Sequence, residues 1–112
     1  MSQFDDAVAK YSAENDSLGL GLDAGLIAAV AKSLGPSIYN EDSSRVSCSD
    51  QEELDRVKKN FLIGKLGLAD GADLDAGLAA ACEKMGSSNR NKYRALFYAI
   101  LVKHFGKEAM YA

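Results

Sequence analysis

One histidine, two cysteines and one proline are spread over 112 residues, and tryptophan is absent. These scarcities exclude several kinds of chemistry. His104 with Cys48 and Cys82 cannot build a zinc site, because no pair of them has the close spacing that zinc ligands show. No metal is predicted. No apolar run approaches the ~18 residues of a membrane span, so no membrane insertion is predicted. The opening Met1-Ser2-Gln3-Phe4-Asp5-Asp6 is acidic and lacks the basic-then-apolar order of a secretory signal. The expectation is therefore a cytoplasmic protein, in which Cys48 and Cys82 are reduced thiols.

Two weak motifs fail on context. Gly19, Gly21 and Gly25 have a dinucleotide-like spacing, but no strand pattern precedes them and no βαβ unit follows. Asp70, Asp73 and Asp75 cluster like a calcium loop. Counting from Asp70, the sixth and twelfth positions hold Asp75 and Ala81, where that loop needs glycine and glutamate. Asp73 reads instead as a helix N-cap, with Asp75 in the first turn. No cofactor is predicted.

What remains is ordinary globular composition, 47% hydrophobic and 26% charged, in a chain of one-domain length, 1–112. The net charge of −3 hides an asymmetry. Residues 1–56 carry 11 acids and 4 bases, and residues 57–112 carry 5 acids and 9 bases. Packing of the acidic part beside the basic part is the favoured reading, ahead of head-to-tail contact with a partner.

Lysine followed within three residues by glycine closes an apolar stretch four times: Lys32–Gly35, Lys65–Gly67, Lys84–Gly86 and Lys103–Gly106. Glycine takes the left-handed conformation that stops a helix, and lysine complements the negative end of the helix dipole. With helical spacing of apolar residues nearly throughout, this predicts an all-α, five-helix bundle. The first helix spans about 3–14 and breaks at Asn15-Asp16-Ser17. The second spans about 22–34, on Leu22, Leu26, Val30 and Leu34, and Gly35-Pro36 ends it. Residues 36–48 form a loop pinned by Ile38, Tyr39 and Val46. The third helix starts at a capping box, Ser49 with Glu52, and buries Leu54, Val57, Phe61, Leu62 and Leu66. The fourth starts near Asp73, with Leu74, Leu78, Cys82 and Met85 inward. The fifth, capped by Ser87 or Ser88, is apolar on nearly every face over 93–105, His104 included, and is therefore central.

An internal repeat accompanies this pattern. Leu22-Asp23-Ala24-Gly25-Leu26 recurs as Leu74-Asp75-Ala76-Gly77-Leu78, each followed by alanine-rich helix, lysine and glycine. Two pseudo-repeated helix–loop–helix units, about 22–67 and 73–106, follow the N-terminal helix.

Two places have candidate chemistry. Ser88, Asn89, Arg90, Asn91, Lys92 and Arg94 open the central helix with three cations among amides and a hydroxyl. Free N–H groups at a helix start favour an anion, so the segment suits phosphate, a partner's carboxylate or nucleic-acid backbone. Its simpler reading, and the favoured one, is internal pairing of the arginines with acids from the first half. Cys48, beside Arg45 and just before a helix start, is a candidate reactive thiol, opposed by Asp50, Glu52 and Glu53.

The stretches Leu34-Gly35-Pro36-Ser37-Ile38-Tyr39-Asn40, Val46-Ser47-Cys48-Ser49-Asp50 and Ser88-Asn89-Arg90-Asn91-Lys92-Tyr93-Arg94-Ala95 carry a family likeness. With the closing Lys103-His104-Phe105-Gly106-Lys107-Glu108, they resemble the domain-of-unknown-function 2853 family over essentially the whole chain. The resemblance implies a bacterial, compact, all-helical domain and brings no catalytic residue. The expected function is a non-enzymatic module that binds a protein partner, as monomer or homodimer. Two alternatives stand beside it: a nucleic-acid-associated protein using the basic start of the last helix, disfavoured by a pI near 5.1, and a thiol sensor or enzyme through Cys48.

Overall fold

The computed structural model describes residues 3–40, 44–86, 89 and 92–111. Among these the chain is all-α, with five α-helices. α1 is Gln3–Leu18, α2 is Ala24–Leu34, α3 is Gln51–Arg56, α4 is Ala72–Met85 and α5 is Arg94–His104. A 3-10 turn, Gly35–Tyr39, follows α2, and a second, Glu108–Tyr111, follows α5. The only β pairing among the described residues is an isolated antiparallel bridge between Arg45 and Tyr93.

α5 is the axis of the fold. Every residue from Ala95 to Val102 is buried, as expected of a helix apolar on all faces. α2 and α4 pack on it, and α1 packs on α2. Phe97, Leu96, Leu101, Ile27, Leu62, Met85 and Tyr11 are among the largest fully buried side chains. The four glycines that follow lysine, Gly35, Gly67, Gly86 and Gly106, all have positive φ, between 66° and 92°. The lysine–glycine pattern therefore marks where helical backbone turns away.

Several boundaries differ from the sequence expectation. α1 runs to Leu18 because Asn15 is not a breaker. Asn15 is buried, its Oδ1 accepts from Leu22 N–H and its Nδ2 donates to Leu22 C=O, both at 3.0 Å. It thereby satisfies both backbone groups of the turn that follows. The cap of α3 is Asp50, whose Oδ1 accepts from Glu52 N–H at 3.0 Å and Glu53 N–H at 3.4 Å. The Ser49 hydroxyl instead meets the Ser47 hydroxyl at 3.3 Å. α4 begins one residue earlier than expected, after Gly71, which provides no side-chain cap, so Asp73 lies inside the first turn. Asp70 and Asp75 flank the Lys58 ammonium at 3.2 and 3.3 Å. α5 starts after Tyr93 without a side-chain cap; Ser87 and Ser88 lie outside the described residues.

The third helix is two structures in one. α3 passes directly into a π-helical segment, Val57–Ile63, in which Gly64 N–H reaches Lys59 C=O and Leu66 N–H reaches Phe61 C=O, five residues back. The wider turn places Val57, Phe61 and Leu62 inward, with Phe61 stacked on Tyr98 at 4.0 Å between centroids. In the 36–48 connection, Ile38 and Val46 are buried as expected, but Tyr39 is exposed.

The repeat has unequal structural uses. In the first copy Asp23 precedes α2 and caps it, accepting from Leu26 N–H at 3.1 Å. In the second, Asp75 lies within α4. Gly77 is needed for close approach, since a Cβ there would stand 2.5 Å from the Phe105 ring. α4 therefore sits directly against the end of α5.

Candidate functional site

The start of α5 is held by a short strip of the preceding connection. Arg94 N–H donates to Ser44 C=O at 2.7 Å, and Val46 N–H donates to Lys92 C=O at 2.8 Å. This brings α3 over the first turn of α5. Arg94 then spends its guanidinium inward: Nη2 donates to the Glu53 carboxylate and, at 3.2 Å, to Arg45 C=O, while Nη1 donates to the Tyr98 hydroxyl at 2.9 Å. Both side chains of the pair are largely shielded, 17% and 14% exposed, so their attraction is screened less by solvent and salt than in a surface salt bridge. Desolvation pushes the Glu53 carboxyl up. Hydrogen bonds and charge from Arg56 and Arg94 override it and hold the carboxyl below its ordinary value.

The rest of the basic segment divides. Lys92 is buried, and its ammonium donates to Asn89 C=O at 2.6 Å; the Asn89 amide in turn donates to Met85 C=O at 2.9 Å. Ser88, Arg90 and Asn91 lie outside the described residues. Of the six proposed contact residues, Asn89, Lys92 and Arg94 are thus engaged in tying α4, α5 and α3 together.

Cys48 is not a free thiol. It forms a disulfide with Cys82, with Cα atoms 6.0 Å apart. The expectation of two reduced thiols is corrected, and with it the nucleophilic role of Cys48, since a disulfide sulfur has no thiolate to attack with. Helical spacing places Cys82 on the inward stripe of α4, but its side chain is half-buried at the margin where Cys48 reaches it. His104 is likewise exposed rather than part of the core. It lies edge-on to Phe105 at 4.8 Å, because α5 has emerged from the core by its last turn. Among the described residues no group of three metal-ligating side chains gathers.

At the other end of α5 lies an open groove of about 550 Å³. Gly21, Asp23, Gly25 and Leu26 form one wall, and Lys103, Glu108 and Tyr111 the other. The Lys103 ammonium reaches across to Gly21 C=O at 3.0 Å. Gly25 leaves room for the capping carboxylate of Asp23, which a Cβ would approach to 2.9 Å. The Tyr111 hydroxyl is buried without a hydrogen bond of sound geometry, since the neighbouring Ser33 hydroxyl donates to Val30 C=O at 2.7 Å, and burial pushes the Tyr111 phenol above its ordinary value with only a partial offset from Ser33. The groove has the size of a ligand or peptide cleft.

Residues 9–109 match the family described as Protein of unknown function (DUF2853). The chain belongs to the DUF2853 family. Comparison with curated proteins finds no match. The DUF2853 span takes in both cysteines, Glu53, Arg94 and every groove residue except Tyr111.

Sequence reasoning about this DUF2853 chain expected the arginines to pair with acids from the first half, as Arg94 does with Glu53, but did not single out Glu53, and it missed the groove entirely. Glu53 carried a legible but different signal, acidic charge in a first helical turn. The groove has none in linear sequence, since its walls come from residues 21–26 and 103–111, joined only by tertiary packing of α2 on α5 and on the last 3-10 turn.

Proposed function

We propose that the protein is a non-enzymatic, cytoplasmic binding module whose groove at the C-terminal end of α5 receives a segment of a protein partner. The single observation behind this reading is the groove itself: apolar Leu26 and Tyr111 on its two walls, the glycine backbones of Gly21 and Gly25, and exposed Asp23, Lys103 and Glu108. Apolar contact supplies affinity in such a cleft, and the few rim charges supply orientation. The basic start of α5 supports nucleic-acid binding less well than its composition suggests, because Lys92 and Arg94 donate internally. That no helix among the described residues is long and apolar enough to cross a membrane is compatible with this reading.

The test is charge reversal at the rim. Lys103→Glu with Glu108→Lys changes two exposed side chains outside the core. A partner recovered by affinity capture from the source cell should bind this variant at least about tenfold more weakly at a temperature where both proteins are fully folded, the variant's unfolding midpoint falling only by what the lost Lys103–Gly21 bond and the reversed charge at the end of α5 cost. Undiminished binding by the variant would remove the groove as the site.

A further inference from the structure

The segment after α5 is lightly held. Gly106, with φ at 66°, turns the chain out of the helix, and Lys107 N–H closes on Val102 C=O at 2.9 Å. Beyond Lys107 the described backbone bonds only to itself, with Met110 N–H reaching Lys107 C=O at 3.0 Å. A four-residue 3-10 turn has no stability of its own. Glu108, Ala109 and Met110 are exposed, and of the four residues only Tyr111 packs against the core. Its ring stands beside Ser33 of α2 and Tyr98 of α5, and its hydroxyl is buried without a sound hydrogen bond. That contact works against itself. The ring removes apolar area from water, while the hydroxyl gives up its bonds to water and receives none in return.

We infer that the Glu108–Tyr111 turn is an autoinhibitory strap on the groove: Tyr111 fills, in cis, a slot beside Ser33 and Tyr98 that takes an aromatic side chain of the bound protein segment. This deepens the reading above and rests on the groove being the partner's site. Tyr111 forms part of one groove wall, so its departure extends the groove between α2 and α5. The slot has the dimensions of the ring that occupies it. A phenylalanine ring entering in its place regains the apolar contact without burying a hydroxyl, so the exchange is favourable. Glu108 adjoins the fixed Lys107 and stays at the rim when the turn unwinds from Tyr111 inward. The partner binds only the molecules whose strap is open, and its apparent affinity is reduced by that fraction.

Amide shift titration of the full chain with p-cresol, the tyrosine side chain as a free molecule, tests the slot. Tyr111→Ala should bind p-cresol at Ser33 and Tyr98 with an apparent affinity about tenfold or more above that of wild type. The partner captured for the rim test should bind Tyr111→Ala several-fold more tightly than wild type. It should bind Tyr111→Phe more weakly, because that variant loses only the unpaired hydroxyl and closes more firmly. A groove with a fixed Tyr111 wall predicts the opposite for alanine, which removes apolar contact. Should Tyr111→Ala fold poorly, wild type at high p-cresol decides: the Tyr111 amide must move to an unstructured position as Ser33 and Tyr98 saturate. No p-cresol binding by Tyr111→Ala, equal affinity of variant and wild type, or unimproved partner binding by Tyr111→Ala would each overturn the strap. Partner binding undiminished by rim reversal, with p-cresol still entering the slot, would remove the groove, and the strap's role with it, on separate grounds.

Discussion

Leu101 is fully buried in α5 and has no polar duty, so Leu101→Ala removes apolar contact and leaves a cavity. The expected loss is about 2–5 kcal/mol, read by denaturant unfolding. At the entry of α3, Asp50→Ala should cost about 1 kcal/mol and Ser49→Ala almost nothing, because Asp50 caps the helix while the Ser49 hydroxyl meets that of Ser47. Equal losses would return the cap to Ser49. Glu53 offers a pH signature. Its carboxyl is depressed in the folded state, so its stabilising effect is complete above the ordinary value of 4.5 and is lost as pH falls through the lower folded value. Glu53→Gln should therefore be less stable than wild type at pH 7, with the gap closing on acidification. A gap independent of pH would mean that the ion pair contributes nothing. At this scale the sequence was legible where burial follows periodicity, as at Leu101. It was ambiguous where two neighbouring polar residues, Ser49 and Asp50, could each serve as a cap.

Among the elements, α5 is the one the sequence describes best, since a helix apolar on every face must be surrounded by packing partners. α1 is the opposite case. Asn15 has a turn-former's chemistry, yet the fold uses both ends of its amide to bind Leu22 from within the helix. Only tertiary contact distinguishes these uses, so local propensity placed the helix end too early. Asn15→Ala leaves Leu22 N–H and C=O without their buried partner and should cost about 1–3 kcal/mol, measured by thermal or denaturant unfolding. A negligible effect would show that water replaces the amide there. The π-helical segment was also hidden, because an i, i+3, i+4 pattern that contains one extra residue still reads as helical.

For the whole molecule, the charge asymmetry and the cysteines come together around α3. Glu53, from the acidic half, neutralises Arg94, from the basic half, and the Cys48–Cys82 bridge crosses the same boundary. Composition foretold the first relation in outline but could not foretell the second, since 34 residues separate the cysteines and nothing local shows that they meet. The groove is likewise a product of tertiary packing, between residues that no motif connects. The function proposed for this DUF2853 protein therefore rests on shape and rim charge at one end of α5, and no longer on the basic segment at the other. Backbone amide shift mapping of the full chain, titrated with the partner recovered by capture, tests that directly. Binding in the groove predicts that the largest changes fall on Gly21, Gly25, Leu26, Lys103 and Tyr111, while Asn89 and Lys92 stay fixed; changes centred on Asn89, Lys92 and Arg94 with the groove unmoved would contradict it.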